Sequence, residues 1–163
     1  MHLNLLLIRH AKSSWSNQGL DDFDRPLNDR GNHSAPLMGK RIKNYNLDLD
    51  TIISSPAKRA KATAKLIAQQ IDFDLKNIEY HPDLYHASRD IFISILSVQE
   101  KESVAIVGHN PGIQDFSYWL CSEPTLNIST CGVIHISFNL DKWAEIHRNC
   151  GVIRSFEYPK MFT

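Results

Sequence analysis

Leu5-Leu6-Leu7-Ile8-Arg9-His10 is the stretch that decides how this chain is read. Residues 3–8 form a short apolar run that stops at Arg9-His10 and gives way to polar Lys12-Ser13-Ser14. A run this short reads as a buried strand, not a membrane span. A second run, Val104-Ala105-Ile106-Val107-Gly108, ends the same way, in His109-Asn110-Pro111-Gly112. In an open α/β sheet, ligands bind just beyond the carboxyl ends of the strands. Two strands that each deliver a histidine to that edge define a cationic, nucleophile-capable mouth.

Outward from these strands the pattern alternates. Residues 9–28 read as a polar connection too irregular for a helix, holding Trp15, Asp21-Asp22 and Asp24-Arg25-Pro26-Leu27-Asn28. So long a loop in a small domain is usually functional. Asn28 reads as the N-cap of a helix to about residue 45, with Ala35, Met38, Ile42 and Tyr45 on its core face. Pro36 lies inside this stretch and moves the expected start toward itself. Residues 50–54 form a second strand. Ser54-Ser55-Pro56 then opens a helix with proline in its first turn. Ala57, Ala60, Ala64, Ile67, Ala68 and Ile71 make its apolar stripe, and Lys58, Lys61, Lys65 and Gln69 a solvated face. Arg59 falls in the first turns of that helix.

A short strand at residues 77–80 precedes the loop His81-Pro82-Asp83-Leu84-Tyr85-His86-Ala87-Ser88. Ser88 caps a helix that buries Ile91, Ile95, Leu96 and Val98, and after the strand at 103–108 a helix from Pro111 carries Ile113, Phe116, Trp119 and Leu120. A Pro/Thr-containing loop follows. Residues 132–138 alternate, and 142–148 and 151–158 read as further short strands. The fold class expected is α/β: a single domain over residues 1–163, three layers, a mostly parallel central sheet flanked by helices, and antiparallel strands near the C-terminus.

The chain has 163 residues, 42% hydrophobic and 22% charged, enough for one domain with a real core. Lys+Arg and Asp+Glu are 18 each, so there is no basic surplus, and a dedicated nucleic-acid partner is not expected. No stretch calls for a membrane. The three cysteines, Cys121, Cys131 and Cys150, are odd in number and irregular in spacing, as free thiols in a reducing compartment are. The N-terminus lacks the features of a signal peptide, so a cytoplasmic location is expected. Oligomeric state is not legible.

Arg9, His10, Arg59 and His109 all stand at the carboxyl-side ends of βα units, and Arg25 comes from the long loop. Such a set suits a phosphoryl group, because guanidinium donors match phosphate oxygens and stay charged at neutral pH. Helix N-termini after Ser55 and Asn110 would add backbone N–H donors. Ser13, just past His10, joins the substrate-binding set as a hydroxyl. There is no Gly-rich phosphate loop and no Cys-x5-Arg. His10 and His109 could also be read as metal ligands. Arginines at the same mouth repel a divalent cation, however, and no carboxylate neighbours either histidine, so no metal and no cofactor is expected.

These segments carry a resemblance. Leu7-Ile8-Arg9-His10-Ala11 resembles the nucleophile motif of the histidine phosphatase (phosphoglycerate-mutase-like) superfamily, with Ala11 where glycine is usual. Arg25-Pro26-Leu27-Asn28-Asp29-Arg30-Gly31 is similar to its Arg-Pro-Leu-Thr-x-x-Gly segment. Ser54-Ser55-Pro56-Ala57-Lys58-Arg59-Ala60-Lys61-Ala62-Thr63-Ala64 is similar to its Ser-Ser-Pro-x-x-Arg-Ala-x-x-Thr-Ala block, and Val107-Gly108-His109-Asn110-Pro111 to its second-histidine motif. The motifs stand in the family's order, and the short length looks like the SixA-type phosphohistidine phosphatase branch.

The resemblance implies a metal-independent phosphatase in which His10 attacks phosphorus and water then hydrolyses the phosphoenzyme. Arg9, Arg59 and His109 would hold the oxygens, with Arg25 completing the pocket. Many members carry a Glu general acid where this chain has His86; Asp83 is the nearest carboxylate. A phosphoramidate leaves as an imidazole and needs less acid help than an alkoxide. The expected substrate is therefore a phosphorylated protein bearing phosphohistidine. The alternatives are a small-molecule phosphate monoesterase and a non-catalytic phosphoprotein-binding domain. Mutase activity does not fit the short length and the changed acid position.

Overall fold

The structure is a computed structural model describing residues 2–124 and 127–163, so Thr125 and Leu126 of the Pro/Thr-containing loop lie outside the described residues. The strands are β1 (Leu3–Arg9), β2 (Thr51–Ser54), β3 (Glu79–Tyr80), β4 (Ser103–Gly108), β5 (Val133–Phe138) and β6 (Gly151–Glu157). The α-helices are α1 (Asp29–Lys43), α2 (Lys58–Gln70), α3 (Arg89–Ser97) and α4 (Gly112–Cys121). The strands form one sheet in the order β3-β2-β4-β1-β5-β6. β3, β2, β4 and β1 run parallel, and β5 and β6 pair antiparallel. This is the expected α/β class.

β1 is apolar throughout because both its faces are covered. Leu3, Leu5 and Leu7 pack with Phe92 and Ile95 of α3 and Ile113 and Phe116 of α4. Leu6 and Ile8 pack with Ala35, Met38 and Ile42 of α1 and Ala64 and Ile67 of α2. Each such buried side chain stabilises the fold by about 1.5–3 kcal/mol relative to exposure. β1 and β4 are neighbours, yet the helices that follow them lie on opposite faces of the sheet. That divergence opens a crevice at their carboxyl ends.

The helix starts depart from expectation in two places. α1 begins at Asp29 and not near Pro36: the Asn28 side chain accepts the Gly31 N–H at 2.9 Å, and Pro36 sits inside the helix. The bond that the proline forgoes would go to the carbonyl of exposed Asn32, which water can serve. α2 begins at Lys58, so Pro56 lies just before the helix, in a turn where Ser55 Oγ accepts the Ala57 N–H at 3.2 Å. α3 starts after Ser88 as expected, but the Ser88 side chain makes no cap bond. Val98 is 73% exposed, because it follows the last turn of α3 instead of lying on its buried side.

Residues 142–148 are not a strand. They hold a single 3-10 turn, Trp143–Glu145, in which Glu145 Oε1 accepts the N–H groups of Asp141 and Lys142 at 3.1 Å each. β5 already pairs with β1 on one side and β6 on the other, so it offers no free edge to an intervening strand. Trp143 turns into the core and donates its Nε1–H to the Lys101 carbonyl at 2.6 Å. No helix among the described residues is long and apolar enough to cross a membrane.

Candidate active site

Strand register assembles the centre. Arg9 pairs with Gly108 across the β1–β4 ladder, so the next residues, His10 and His109, emerge side by side with ring centroids 5.0 Å apart. The His10 N–H donates to the Gly108 carbonyl at 3.0 Å. On the other side of β4, Ser54 pairs with Val107 and the Ser55 N–H donates to the Val107 carbonyl at 2.9 Å. Three parallel strands thus deliver His10, Ser55 and His109 to one edge.

His10 is buried, and its Nδ1 lies 2.7 Å from the Ala11 carbonyl. A carbonyl only accepts, so Nδ1 carries the proton and Nε2 holds the free lone pair. Burial pushes the His10 pKa down to about 4, and the charges of Arg59, Arg9 and Arg25 push the same way, while the Ala11 bond opposes them. The Ala11 N–H donates to Thr63 Oγ1 at 2.9 Å, and the Thr63 hydroxyl donates to the Arg59 carbonyl at 2.8 Å. α2 is thereby tied to the end of β1.

His109 Nε2 lies 2.8 Å from Ser55 Oγ, which itself accepts the Ala57 N–H. With the Ser55 hydroxyl donating to Nε2, the ring proton sits on Nδ1, which is buried without a partner. Burial first, then the charges of His10, Arg59 and His86, lower the His109 pKa to about 3, with Asp22 opposing. His109 is therefore a neutral hydrogen-bond donor.

Arg9 Nη1 donates to the Ile128 carbonyl at 3.0 Å, and Arg59 donates from Nη1 to the Asp22 carbonyl at 2.6 Å and from Nη2 to Asp22 Oδ2 at 3.0 Å. The Nε atoms of both arginines are buried and unpartnered, like His109 Nδ1. A buried unpaired donor costs about 1–3 kcal/mol, and His109 and the two arginines whose charge reaches His10 each carry one. A tetrahedral oxyanion offers three acceptors at once.

The remaining expected residues divide. Arg25 is buried but committed to its own loop: Nε donates to the Ser14 carbonyl at 3.1 Å, Nη1 to Asp22 Oδ1 at 2.8 Å, and Nη2 to Ser13 Oγ. The Trp15 ring covers its guanidinium at 3.3 Å. Ser13 and Arg25 are thus partners of each other, and Arg25 acts on His10 through its charge. His86 is exposed at φ 61°, with its ring 3.9 Å from that of Tyr85, and its charge reaches His109. Asp83 is exposed and lines a separate cavity of about 260 Å³ with His81, Ile91, Ser94 and Ile95.

Four contributors escaped the sequence reading. Ser55 and Thr63 lie inside a motif that was recognised, where only Arg59 was given work. Asp22 was noted in the long loop without a role. Tyr85 stands between Leu84 and His86; its hydroxyl donates to Asp22 Oδ2 at 2.6 Å, and its ring lies 5.6 Å from His109 and 5.0 Å from Phe23. No group of three or more His, Cys, Asp or Glu side chains among the described residues is placed to hold a metal ion.

Comparison with known proteins agrees with this geometry. The sequence profile of the histidine phosphatase superfamily (branch 1) matches residues 5–92. An uncharacterised chloroplastic protein of Arabidopsis thaliana is 29% identical over 151 residues, covering 86% of this chain and 69% of the relative. The mitochondrial serine/threonine-protein phosphatase Pgam5 of Drosophila virilis is 31% identical over 148 residues, covering 72% of this chain, which spans 50% of that relative's length. The crystal structure of SixA from Agrobacterium tumefaciens superposes with a TM-score of 0.81 at 25% identity, covering 96% of this chain and 98% of the other. A structure of the protein histidine phosphatase SixA complexed with tungstate gives a TM-score of 0.85 over 99% of this chain and 100% of the other, at 18% identity, a likeness of fold.

Proposed function

The chain belongs to the histidine phosphatase superfamily, and from that premise we propose that it removes phosphoryl groups from histidine side chains of a partner protein through a phosphorylated His10. The observation that carries the reading is the pair of imidazoles 5.0 Å apart, His10 with its Nε2 unprotonated, within reach of the charges of Arg9 and Arg59, while Arg9 Nε, Arg59 Nε and His109 Nδ1 are buried without partners. Residues 1–163 act as one catalytic domain in this reading, in the cytoplasm, and need no metal because fixed cationic and N–H donors supply the charge stabilisation.

Nε2 of His10 attacks phosphorus in line, the bond from phosphorus to the leaving nitrogen breaks, and the leaving imidazole takes a proton. The Ala11 carbonyl holds the Nδ1 proton and stabilises the charge that develops on the ring as Nε2 forms its bond to phosphorus. Arg9, Arg59 and His109 hold the equatorial oxygens as charge redistributes. Water then attacks phosphorus, the Nε2–P bond breaks, and inorganic phosphate leaves. His86, at the rim beside Tyr85, is better placed than Asp83 to protonate a leaving group.

The likeness to Pgam5 favours a second reading, a phosphate monoester on a protein serine or threonine. One experiment separates the two: phosphate release without added metal from a phosphohistidine protein, a phosphoserine peptide and an aryl phosphate, each with wild type and His10→Ala. The proposal expects faster, His10-dependent release from the phosphohistidine protein, and an acid-labile phosphoenzyme that His10→Ala does not form. Faster release from the ester moves the assignment to the second reading. Substantial turnover by His10→Ala rules out the covalent route.

A further inference from the structure

The loop between β1 and α1 places a carboxylate against the same arginines that face the phosphoryl site. Asp22 Oδ1 accepts from Arg25 Nη1 at 2.8 Å, Oδ2 accepts from Arg59 Nη2 at 3.0 Å and from the Tyr85 hydroxyl at 2.6 Å, and the Asp22 carbonyl accepts from Arg59 Nη1 at 2.6 Å. Arg59 is therefore divided. Its two terminal nitrogens are held by Asp22, while Nε stays buried and unpaired. Arg25 is fully engaged, by Asp22, by the Ser14 carbonyl and by the Ser13 hydroxyl. The Asp22 carboxylate is near enough for its charge to be felt at His109. These contacts also hold it well below the usual carboxylate range, so it stays ionised wherever the enzyme works.

We infer that Asp22 is a positioning residue and a resident counter-anion. It fixes Arg59 and Arg25, and its charge weakens the grip of the phosphoryl site on inorganic phosphate. The inference rests on the reading of the site as a phosphoryl site and adds what limits its affinity. A pocket faced by the guanidiniums of Arg9 and Arg59, with the charge of Arg25 behind them, binds substrate and product phosphate alike. Such uniform binding lowers KM without raising kcat, and it slows product release. A fixed negative charge at the edge opposes both dianions by Coulomb repulsion and leaves the arginines ordered.

The probe is inorganic phosphate, by calorimetry and by competition against an aryl phosphate, on the full chain. Asp22→Asn keeps the shape of the side chain and one of its two acceptor oxygens, and removes the charge. Its phosphate Kd and its KM are expected to fall together by about fivefold to tenfold, the effect of one unit charge several ångströms away in a half-exposed site. Its kcat should fall, because phosphate leaves more slowly. Asp22→Glu keeps the charge, and its phosphate Kd should stay within about threefold of wild type. If Asp22→Asn does not fold, Asp22→Ser carries the same expectation.

A brace without electrostatic function predicts the opposite split: looser arginines, weaker phosphate and higher KM. Phosphate binding that is weaker or unchanged in the neutral variants, beside a wild type that binds phosphate and turns over the aryl ester, overturns the counter-anion alone. A wild type that neither binds phosphate nor turns over any phosphorylated substrate removes the phosphoryl reading of the site, and the inference with it.

Discussion

An imidazole that attacks phosphorus needs a bare nitrogen, and at His10 burial and neighbouring cations secure it. An imidazolium there cannot attack, so activity is lost as pH falls through the folded-state pKa. We expect kcat/KM to hold from pH 8 to below pH 6 and to fall with an apparent pKa near about 4, measured on an aryl phosphate. Arg59→Met removes a cation that lowers this value, so its acid limb should move upward. Ser55→Ala strips His109 Nε2 of its donor and frees the ring to take either tautomer. It should cost about tenfold in kcat/KM, the worth of one hydrogen bond that fixes a tautomer. At this scale the sequence was legible wherever a residue ends a strand or opens a helix. Arg9, His10, Arg59 and His109 fall at such places, and hydrophobic periodicity locates them. Asp22 and Tyr85 were not legible as partners, because their contact joins two loops and has no period. Arg25 was legible as a cation but not as one already spoken for by Ser13, Ser14 and Asp22.

At the scale of elements, α1 must approach the segment that follows His10. An added Cβ at Gly31 would stand 2.2 Å from the Lys12 carbonyl oxygen, a backbone atom that cannot swing aside. Gly31→Ala should therefore destabilise by more than about 2 kcal/mol and lower kcat by displacing the residues beside His10, read by thermal unfolding and aryl phosphate kinetics. Asn28→Ala, which removes the cap of the same helix, should cost about 1 kcal/mol with kcat nearly unchanged. The helices were legible because a stripe such as Ala60, Ala64, Ile67 and Ala68 repeats with the helical period and meets a real core face. Their ends were less so: Pro36 argued locally for a late start, and the Asn28 cap together with burial of Ala35 and Met38 outweighed it. Residues 142–148 misled because a short segment becomes a strand only where a sheet edge is free to receive it.

At the scale of the molecule, the two central histidines couple the site to stability. Both have folded-state pKa values below the ordinary 6.5, at about 4 and about 3, so the unfolded chain binds protons more readily. Stability is then full above about pH 7 and falls as pH drops from there toward the folded values, by a few kcal/mol in order of magnitude. The unfolding temperature of wild type should fall between pH 7 and pH 4.5, and that of His10→Gln/His109→Gln should fall less steeply.

The strand order carries a consequence for assembly. β1 and β2 are neighbours in sequence but not in the sheet, because β4 lies between them. A nascent chain that has emerged only through α3 holds two apolar strands with no ladder to join them. Neither can finish its hydrogen bonds until residues 103–108 slot into the gap. That insertion seats the last parallel strand and brings the second histidine beside the first in the same step. Amides of β1 and β2 should accordingly gain exchange protection together during refolding, and not before those of β4.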